Sequence, residues 1–245
     1  MFEKELEYLL RQIKVESPKV HCLTNSVVQN LTANALLAVG ATPSMTIDPD
    51  EVTDFTSSAH ALLVNLGTLD ANRKEAILRA VETANEQNIP WILDPVLINR
   101  APKRLAFAKE LLSFKPALIR ANSLEIAALN IPVDELLEMT DAVIAITGKV
   151  DEVFALDPNG ETLYAPITGG HEMMAHVTGL GCAGTAVIAT YLGVSDNRFE
   201  AVCAALEMIA KAGEFAALHS AGPAGFQTIF IDQLYSFYKR GSING

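Results

Sequence analysis

Cysteine is scarce in this 245-residue chain, and odd in number: Cys22, Cys182 and Cys203. Three widely spaced thiols in a long chain do not suggest a disulfide framework, and a reducing cytoplasm is the compartment that fits. Basic charge is also scarce. Lys and Arg total 18 against 29 Asp and Glu, for a net charge of −11. That balance argues against a nucleic-acid surface, which needs clustered Lys and Arg, and against binding to anionic membranes. No run of about 18 uncharged apolar residues suggests a membrane span. The start, Met1-Phe2-Glu3-Lys4-Glu5, is charged and lacks the apolar core of a signal peptide. Long linkers, internal repeats and low-complexity stretches are also missing, so a single domain over 1–245 is expected.

The chain does have the material for a core. Half of it is hydrophobic and only 19% is charged. Short continuous apolar runs at 20–23, 43–47, 61–66, 91–93, 117–119 and 142–146 read as strands buried on both faces. Helical patterns lie between them. Asp70 is placed to cap a helix with Ala76, Ile77, Ala80, Val81 and Ala84 on one face. Asn122 or Ser123 can cap another that carries Glu125 in its first turn. After Ile146 a hairpin is expected, with strands 153–156 and 162–166 around Asp157-Pro158-Asn159-Gly160. From Gly181 the chain reads as helical over about 181–193, 198–217 and 227–239. The alternation predicts an α/β fold, a mostly parallel sheet with helices on both faces.

Thr178-Gly179-Leu180-Gly181-Cys182 precedes an apolar, small-residue run from Ala183 to Leu192. Two glycines permit a tight turn, and a helix starting there directs unpaired N–H groups and a positive dipole end into it. Such a turn suits a phosphate, and Cys182 sits at its mouth. Alone, the segment reads equally as a turn before a core helix with a buried cysteine.

Ligands of open parallel sheets bind beyond the carboxyl ends of the strands. Nearly every expected strand ends on polar or glycine-bearing positions: Thr24-Asn25, Met45-Thr46, Asn65 with Gly67, Asp94, Arg120 with Asn122, and Thr147-Gly148. Asp94 is a turn residue or a ligand for hydrated Mg²⁺. Glu125 is a dipole-stabilising acid or a second carboxylate beside the same ion. Arg120 is a snorkelling edge residue or a phosphate clamp. Asn30 and Asn34 fit a solvent face, and the acidic run 134–141 fits another. The histidines, His21, His60, His171, His176 and His219, show no metal-ligand spacing. A Cys/His hydrolase would need an orienting motif that is missing.

Taken together, these segments resemble the hydroxyethylthiazole kinase family. The resemblance rests on His21-Cys22-Leu23-Thr24-Asn25 with Asn30, Thr32-Ala33-Asn34, and Gly40-Ala41-Thr42-Pro43-Ser44-Met45. In the same order follow Asp94-Pro95-Val96, Ile119-Arg120-Ala121-Asn122 with Glu125-Ile126, Thr147-Gly148, Gly170-His171, Val177 to Cys182, and Gly222-Pro223 with Phe226-Gln227. It implies a ribokinase-like fold and transfer of the ATP γ-phosphate to the hydroxyl of 4-methyl-5-(2-hydroxyethyl)thiazole in thiamine salvage. It also implies a homotrimer with active sites at subunit interfaces. By matching positions, Asn25, Val27, Met45 and Gly179 would meet the thiazole. Arg120, Thr147, Asn122 and Thr178 would serve ATP, and Asp94 and Glu125 would serve Mg²⁺. Cys182 would stand where most ribokinase-like enzymes carry an aspartate base, with Gly179 and Gly181 giving backbone N–H groups to the transferring phosphoryl.

A helix N-terminus is expected to lower the Cys182 pKa, so that the thiol accepts the proton or organises the hydroxyl. The chain departs from the family pattern at Leu97 to Arg104, at Lys149 in place of an acid, and at Leu180 in place of a small residue. Two alternatives are a kinase of another small heterocyclic alcohol, such as a hydroxymethylpyrimidine, and a thiazole-binding protein without turnover.

Overall fold

The computed structural model describes residues 2–241; Met1 and 242–245, the ends of the expected domain, lie outside the described residues. In chain order the elements are α1 (Glu3–Glu16), β1 (Lys19–Leu23), α2 (Gln29–Ala38), β2 (Thr42–Ser44), α3 (Val52–Ser57), β3 (Ala61–Asn65) and α4 (Ala71–Glu86). Then come β4 (Trp91–Asp94), α5 (Pro102–Leu112), β5 (Leu118–Asn122), α6 (Ser123–Leu129), α7 (Val133–Thr140) and β6 (Val143–Thr147). The hairpin β7 (Asp151–Leu156) and β8 (Thr162–Ile167) leads to α8 (Leu180–Leu192), α9 (Arg198–His219) and α10 (Pro223–Arg240).

Among the described residues, eight strands form one sheet in the order β2-β1-β3-β4-β5-β6-β7-β8. The pairs from β2 through β6 are parallel; β6–β7 and β7–β8 are antiparallel. Strand side chains alternate between two cores. Val20, Cys22, Leu63 and Ile92 face α1, α2, α8, α9 and α10. Leu23, Leu62, Val64 and Leu93 face α4 to α7. Burial on both faces explains why β1 and β3 to β6 read as unbroken apolar runs, whereas β2, expected to be buried, lies at the sheet edge with Thr42 exposed and Pro43 and Ser44 half-buried.

Local chemistry sets the boundaries. The Asp70 side chain accepts from Arg73 N at 2.8 Å, and α4 buries the expected apolar face. Asn122 and Glu125 form a capping box at the start of α6, each side chain bonded to the other's backbone N–H. β2 ends at Ser44, short of the expected 43–47, because the chain beyond it leaves the sheet edge. α10 starts at Pro223, four residues before the expected position, since proline is well placed in a first helical turn. β8 continues to Ile167, one residue past the expected end.

Candidate active site

The parallel register brings polar side chains together at one end of the sheet. Asn65 of β3 pairs with Asp94 of β4, and Asn122 of β5 pairs with Thr147 of β6. Asn25 follows β1 in the loop toward α2. The N-terminus of α8 closes the same end, with Gly179 as its N-cap residue at φ +81°. The helix begins at Leu180, so the amides of Gly181 and Cys182 belong to a first turn that lacks intrahelical acceptors.

A chain of hydrogen bonds crosses the site. Asn25 Nδ2 donates to Asn65 Oδ1 at 3.1 Å and to Cys182 Sγ at 3.7 Å. Asn65 Nδ2 donates to Asp94 Oδ2 at 2.7 Å, and Thr185 Oγ1 donates to the same oxygen at 3.2 Å. Arg120 Nη1 donates to Gly181 O at 2.9 Å and to Thr185 Oγ1 at 3.0 Å, while its buried Nε has no partner. Glu125 accepts from Leu97 N at 2.7 Å and from Asn122 N at 2.9 Å. The departing Leu97–Arg104 segment thus helps to fix an expected Mg²⁺ carboxylate. Its Arg104 folds back to Val96 O at 2.7 Å.

These contacts set the electrostatics. Burial pushes the Asp94 carboxyl up to about 6; Arg120 and the Asn65 hydrogen bond oppose the shift, while Glu125 adds to it. Burial also pushes the Cys182 thiol up to about 12, and the charge of Asp94 reinforces it. Asn65, Arg120 and Asn25 pull the thiol down without overcoming that. The expectation of a lowered Cys182 pKa is therefore overturned. Loss of hydration and a neighbouring carboxylate outweigh the helix N-terminus, and Cys182 is a neutral thiol near pH 7.

A cleft of about 740 Å³ opens beside this network. Arg120, Thr147, Lys149, Asp151 and Gly181 line its polar end, and Ile167, Met174, Leu206 and Ile209 its apolar end. Lys149, which replaces the family's acid, adds a cation there. Thr178 is exposed outside this lining, and the Asn122 amide oxygen is committed to the backbone of Leu124 and Glu125. Met45 is partly buried against the core that contains α2 and α8. Val27 is 66% exposed. A Cβ on Gly179 would meet Val28 Cγ1 at 2.1 Å, whereas one on Gly181 would touch Arg120 Nη1 only at 3.7 Å.

In the sequence Asn65 stands at a strand tip with nothing local to assign it a role. Thr185 went unnoticed, although it lies one helical turn after Gly181. Arg73 was also missed. It is a buried arginine that donates to the carbonyls of Gly67 and Leu23 and, at 2.8 Å, to that of Asn65, tying the ends of β1 and β3 together. Its position three residues after the Asp70 cap was the available signal.

Among the described residues no cluster of three or more His, Cys, Asp and Glu side chains forms a metal cage. Mg²⁺ does not need one, since it binds through one or two carboxylates together with water and substrate phosphates. Asp94 and Glu125 fit that demand. The hydrogen bonds to Asp94 from Asn65 and Thr185 both end on Oδ2, and the Glu125 charge raises the Asp94 pKa. The charge of Glu125 acting on Asp94 suits a cation at this carboxylate, and each Glu125 oxygen also accepts one backbone N–H.

An eight-stranded, mostly parallel sheet flanked by helices, with the N-terminus of α8 over its strand tips, is the architecture that carries the site. A ribokinase-like superfamily protein from Enterococcus faecalis shares the fold, with a TM-score of 0.72 at 14% identity over 97% of this chain and 95% of that one. The chain belongs to the hydroxyethylthiazole kinase family, whose sequence model matches residues 10–136 and 130–240. A hydroxyethylthiazole kinase from Serratia proteamaculans is 42% identical over 245 residues, covering 92% of this chain and 91% of the relative. The hydroxyethylthiazole kinase structure from Pyrococcus horikoshii superposes with a TM-score of 0.87 at 31% identity, over 95% of this chain and 93% of that one. Among the described residues no helix is long and apolar enough to cross a membrane.

Proposed function

We propose that this chain transfers the γ-phosphoryl group of ATP to the hydroxyl of 4-methyl-5-(2-hydroxyethyl)thiazole, a salvage step toward thiamine. The observation that carries the reading is the continuous Asn25–Asn65–Asp94–Thr185–Arg120 network beneath the α8 N-terminus. It joins the residues matched to the alcohol to those matched to ATP and Mg²⁺.

ATP enters the 740 Å³ cleft with its base toward Ile167, Met174 and Leu206 and its phosphates toward Arg120, Thr147 and Gly181. The Arg120 guanidinium, in the lining of the cleft, and the first-turn amides of α8 supply donors for the transferring group. Thr178, at the mouth of the same turn, adds a hydroxyl on the solvent side. Asn122 acts on the nucleotide side through Glu125, which it caps. Asp94 and Glu125 would hold Mg²⁺, which would neutralise phosphate charge.

The thiazole alcohol lies against Asn25, Met45 and Gly179. The Cys182 thiol beside Asn25 orients its hydroxyl. In the transfer the alcohol oxygen forms the new O–P bond, the bond from γ-phosphorus to the bridging oxygen breaks, and ADP leaves with that electron pair. The hydroxyl proton passes to an oxygen of the transferred phosphoryl. A loose transition state asks for positioning and charge neutralisation more than for a strong base, so a neutral thiol suffices. We also assign a homotrimer with shared sites. Val27, matched to the thiazole pocket, is 66% exposed in one copy, and a second copy would cover it.

The deciding experiment is ADP release from Mg·ATP with and without the thiazole alcohol. Alcohol-dependent release is expected. Binding of the alcohol without release would favour a thiazole-binding protein without turnover, and release with hydroxymethylpyrimidine instead would reassign the substrate.

A further inference from the structure

The proposed reaction leaves one buried imidazole unused. His21 of β1 is fully buried beneath the chain that follows β2. Its Nε2 lies 3.0 Å from Thr46 O and its Nδ1 2.9 Å from Thr56 Oγ1 of α3. A carbonyl can only accept, so Nε2 carries the hydrogen and Nδ1 accepts from the Thr56 hydroxyl. Burial lowers the His21 pKa, which favours the neutral ring and this tautomer. Phe55 lies against the ring at 5.9 Å between centroids.

The location gives the contact its meaning. β2 is an edge strand, and its register with β1 ends at the pair His21–Ser44. Past Ser44 the imidazole takes over from the backbone ladder and holds the next carbonyl on its side of the sheet, that of Thr46. Met45, between Ser44 and Thr46, lies on the opposite face from His21. There it packs on the core that contains α2 and α8. The Thr46 hydroxyl makes one further tether, to Glu51 Oε2 at 3.0 Å.

We propose that His21 is a positioning residue for alcohol specificity: by holding the Thr46 carbonyl it fixes how far Met45 projects into the substrate pocket. The inference rests on the reading of Met45 as a wall of that pocket.

The test combines steady-state kinetics with hydrogen exchange of the 42–51 segment, for wild type, His21→Leu, His21→Gln and Thr56→Val. His21→Leu removes the donor and leaves the Thr46 carbonyl unpaired. It should raise KM for the thiazole alcohol about tenfold, the scale of one lost buried hydrogen bond, with KM for ATP changed less than about twofold. Exchange in 42–51 should quicken. His21→Gln can place an amide nitrogen near the position of Nε2, and should bring the alcohol KM back to within about threefold of wild type. An unchanged alcohol KM with unchanged exchange would overturn the proposal, as would equal rises in both KM values. If His21→Leu does not fold, Thr56→Val decides: a smaller rise in alcohol KM with faster exchange supports the role, and no change in either refutes it. If wild type fails to phosphorylate the thiazole alcohol, the substrate assignment falls, and the exchange data alone decide whether His21 holds the segment.

Discussion

Asn65 and Asp94 face each other across the β3–β4 pair, and the Asn65 amide nitrogen donates to Asp94 Oδ2 at 2.7 Å. That single bond fixes the direction of the whole network. A carboxylate accepts, so the amide nitrogen must face it. The Asn65 oxygen is then left for Gly67 N at 3.0 Å and for Asn25 Nδ2 at 3.1 Å. Asn25 is in turn forced to present its nitrogen to the Cys182 sulfur.

Asn65→Leu keeps the volume and removes both ends of the relay. It leaves the Asp94 carboxylate short of a donor and the Asn25 amide free to turn. We expect kcat/KM to fall roughly a hundredfold, equivalent to about 3 kcal/mol for a lost bond to a charged group plus a misoriented amide. Nucleotide affinity, measured by calorimetry, should stay within about threefold, because Asn65 does not line the cleft. Wild-type turnover would remove Asn65 from the site's function.

Cys182 is predicted to be unreactive despite its place at a helix N-terminus. A thiol near 12 is almost wholly protonated at pH 7.5, and the thiolate is the nucleophile. Iodoacetamide should alkylate the Cys182 peptide at least about tenfold more slowly than a free cysteine of ordinary pKa, as followed by mass spectrometry. Fast labelling at neutral pH would restore the thiolate base. Cys182→Ala should keep nucleotide binding and lose most turnover, by loss of the group that orients the alcohol; wild-type turnover in this variant would end that role.

The raised Asp94 carboxyl makes stability depend on pH. Its folded value of about 6 lies above the ordinary 3.8, so between these values the native state holds more protons than the unfolded chain. The stabilisation is fully present below about pH 4 and is lost as pH rises through about 6, an effect of roughly 3 kcal/mol at most. Asp94→Asn has no charge to desolvate and can still accept from Asn65. In metal-free buffer this variant should gain on wild type from about pH 4 to about pH 6 in urea unfolding and hold a constant lead above that, while losing activity. A gap independent of pH would show that the carboxyl is not destabilised by burial.

Much of this architecture was legible in the chain, and the gaps have physical reasons. β1 and β3 to β6 announced themselves because both faces are largely buried, and Asp70 and Asn122 because capping chemistry is local; β2, an edge strand, is partly exposed instead. The helix α1 was not among the expected elements, although its sequence carries the signal. Leu6, Leu9, Leu10 and Ile13 carry the helical spacing, and all four are buried. Asp94, Glu125, Arg120 and Cys182 were found as strand-tip and helix-start residues and do converge. Two things were not readable from local pattern: the Cys182 pKa, which depends first on burial and then on a carboxylate 88 positions away in the chain, and the relay through Asn65, which exists only once β3 and β4 pair.

Assembly can be tested through Val27. One copy leaves it 66% exposed beside the buried Val28, which packs against Gly179. If a second copy covers Val27 to complete the alcohol pocket, Val27→Asp places a charge in that contact. We expect light scattering to show a smaller species than wild type, with loss of alcohol-dependent ADP release and an unchanged monomer fold by circular dichroism. A monomeric, active wild-type enzyme would refute shared sites.

Gly179 and Gly181 look equivalent in the sequence, and the structure separates them. Gly179 sits at φ +81°, where a side chain is strained by about 1–3 kcal/mol. Its Cβ would also lie 2.1 Å from Val28 Cγ1, a buried side chain with little room to withdraw. Gly179→Ala should therefore lower Tm by several degrees, at about 2–4 °C per kcal/mol for a chain of this size, and abolish turnover. At Gly181 the backbone is helical and the nearest neighbour of a new Cβ is Arg120 Nη1 at 3.7 Å, an ordinary contact. Gly181→Ala should keep Tm close to wild type and still lose turnover, because the methyl occupies space in front of Arg120 that the transferring phosphoryl needs. Thermal melts paired with ADP-release assays separate the two: equal loss of stability would make both glycines structural, and full activity in Gly181→Ala would move the phosphoryl away from this turn.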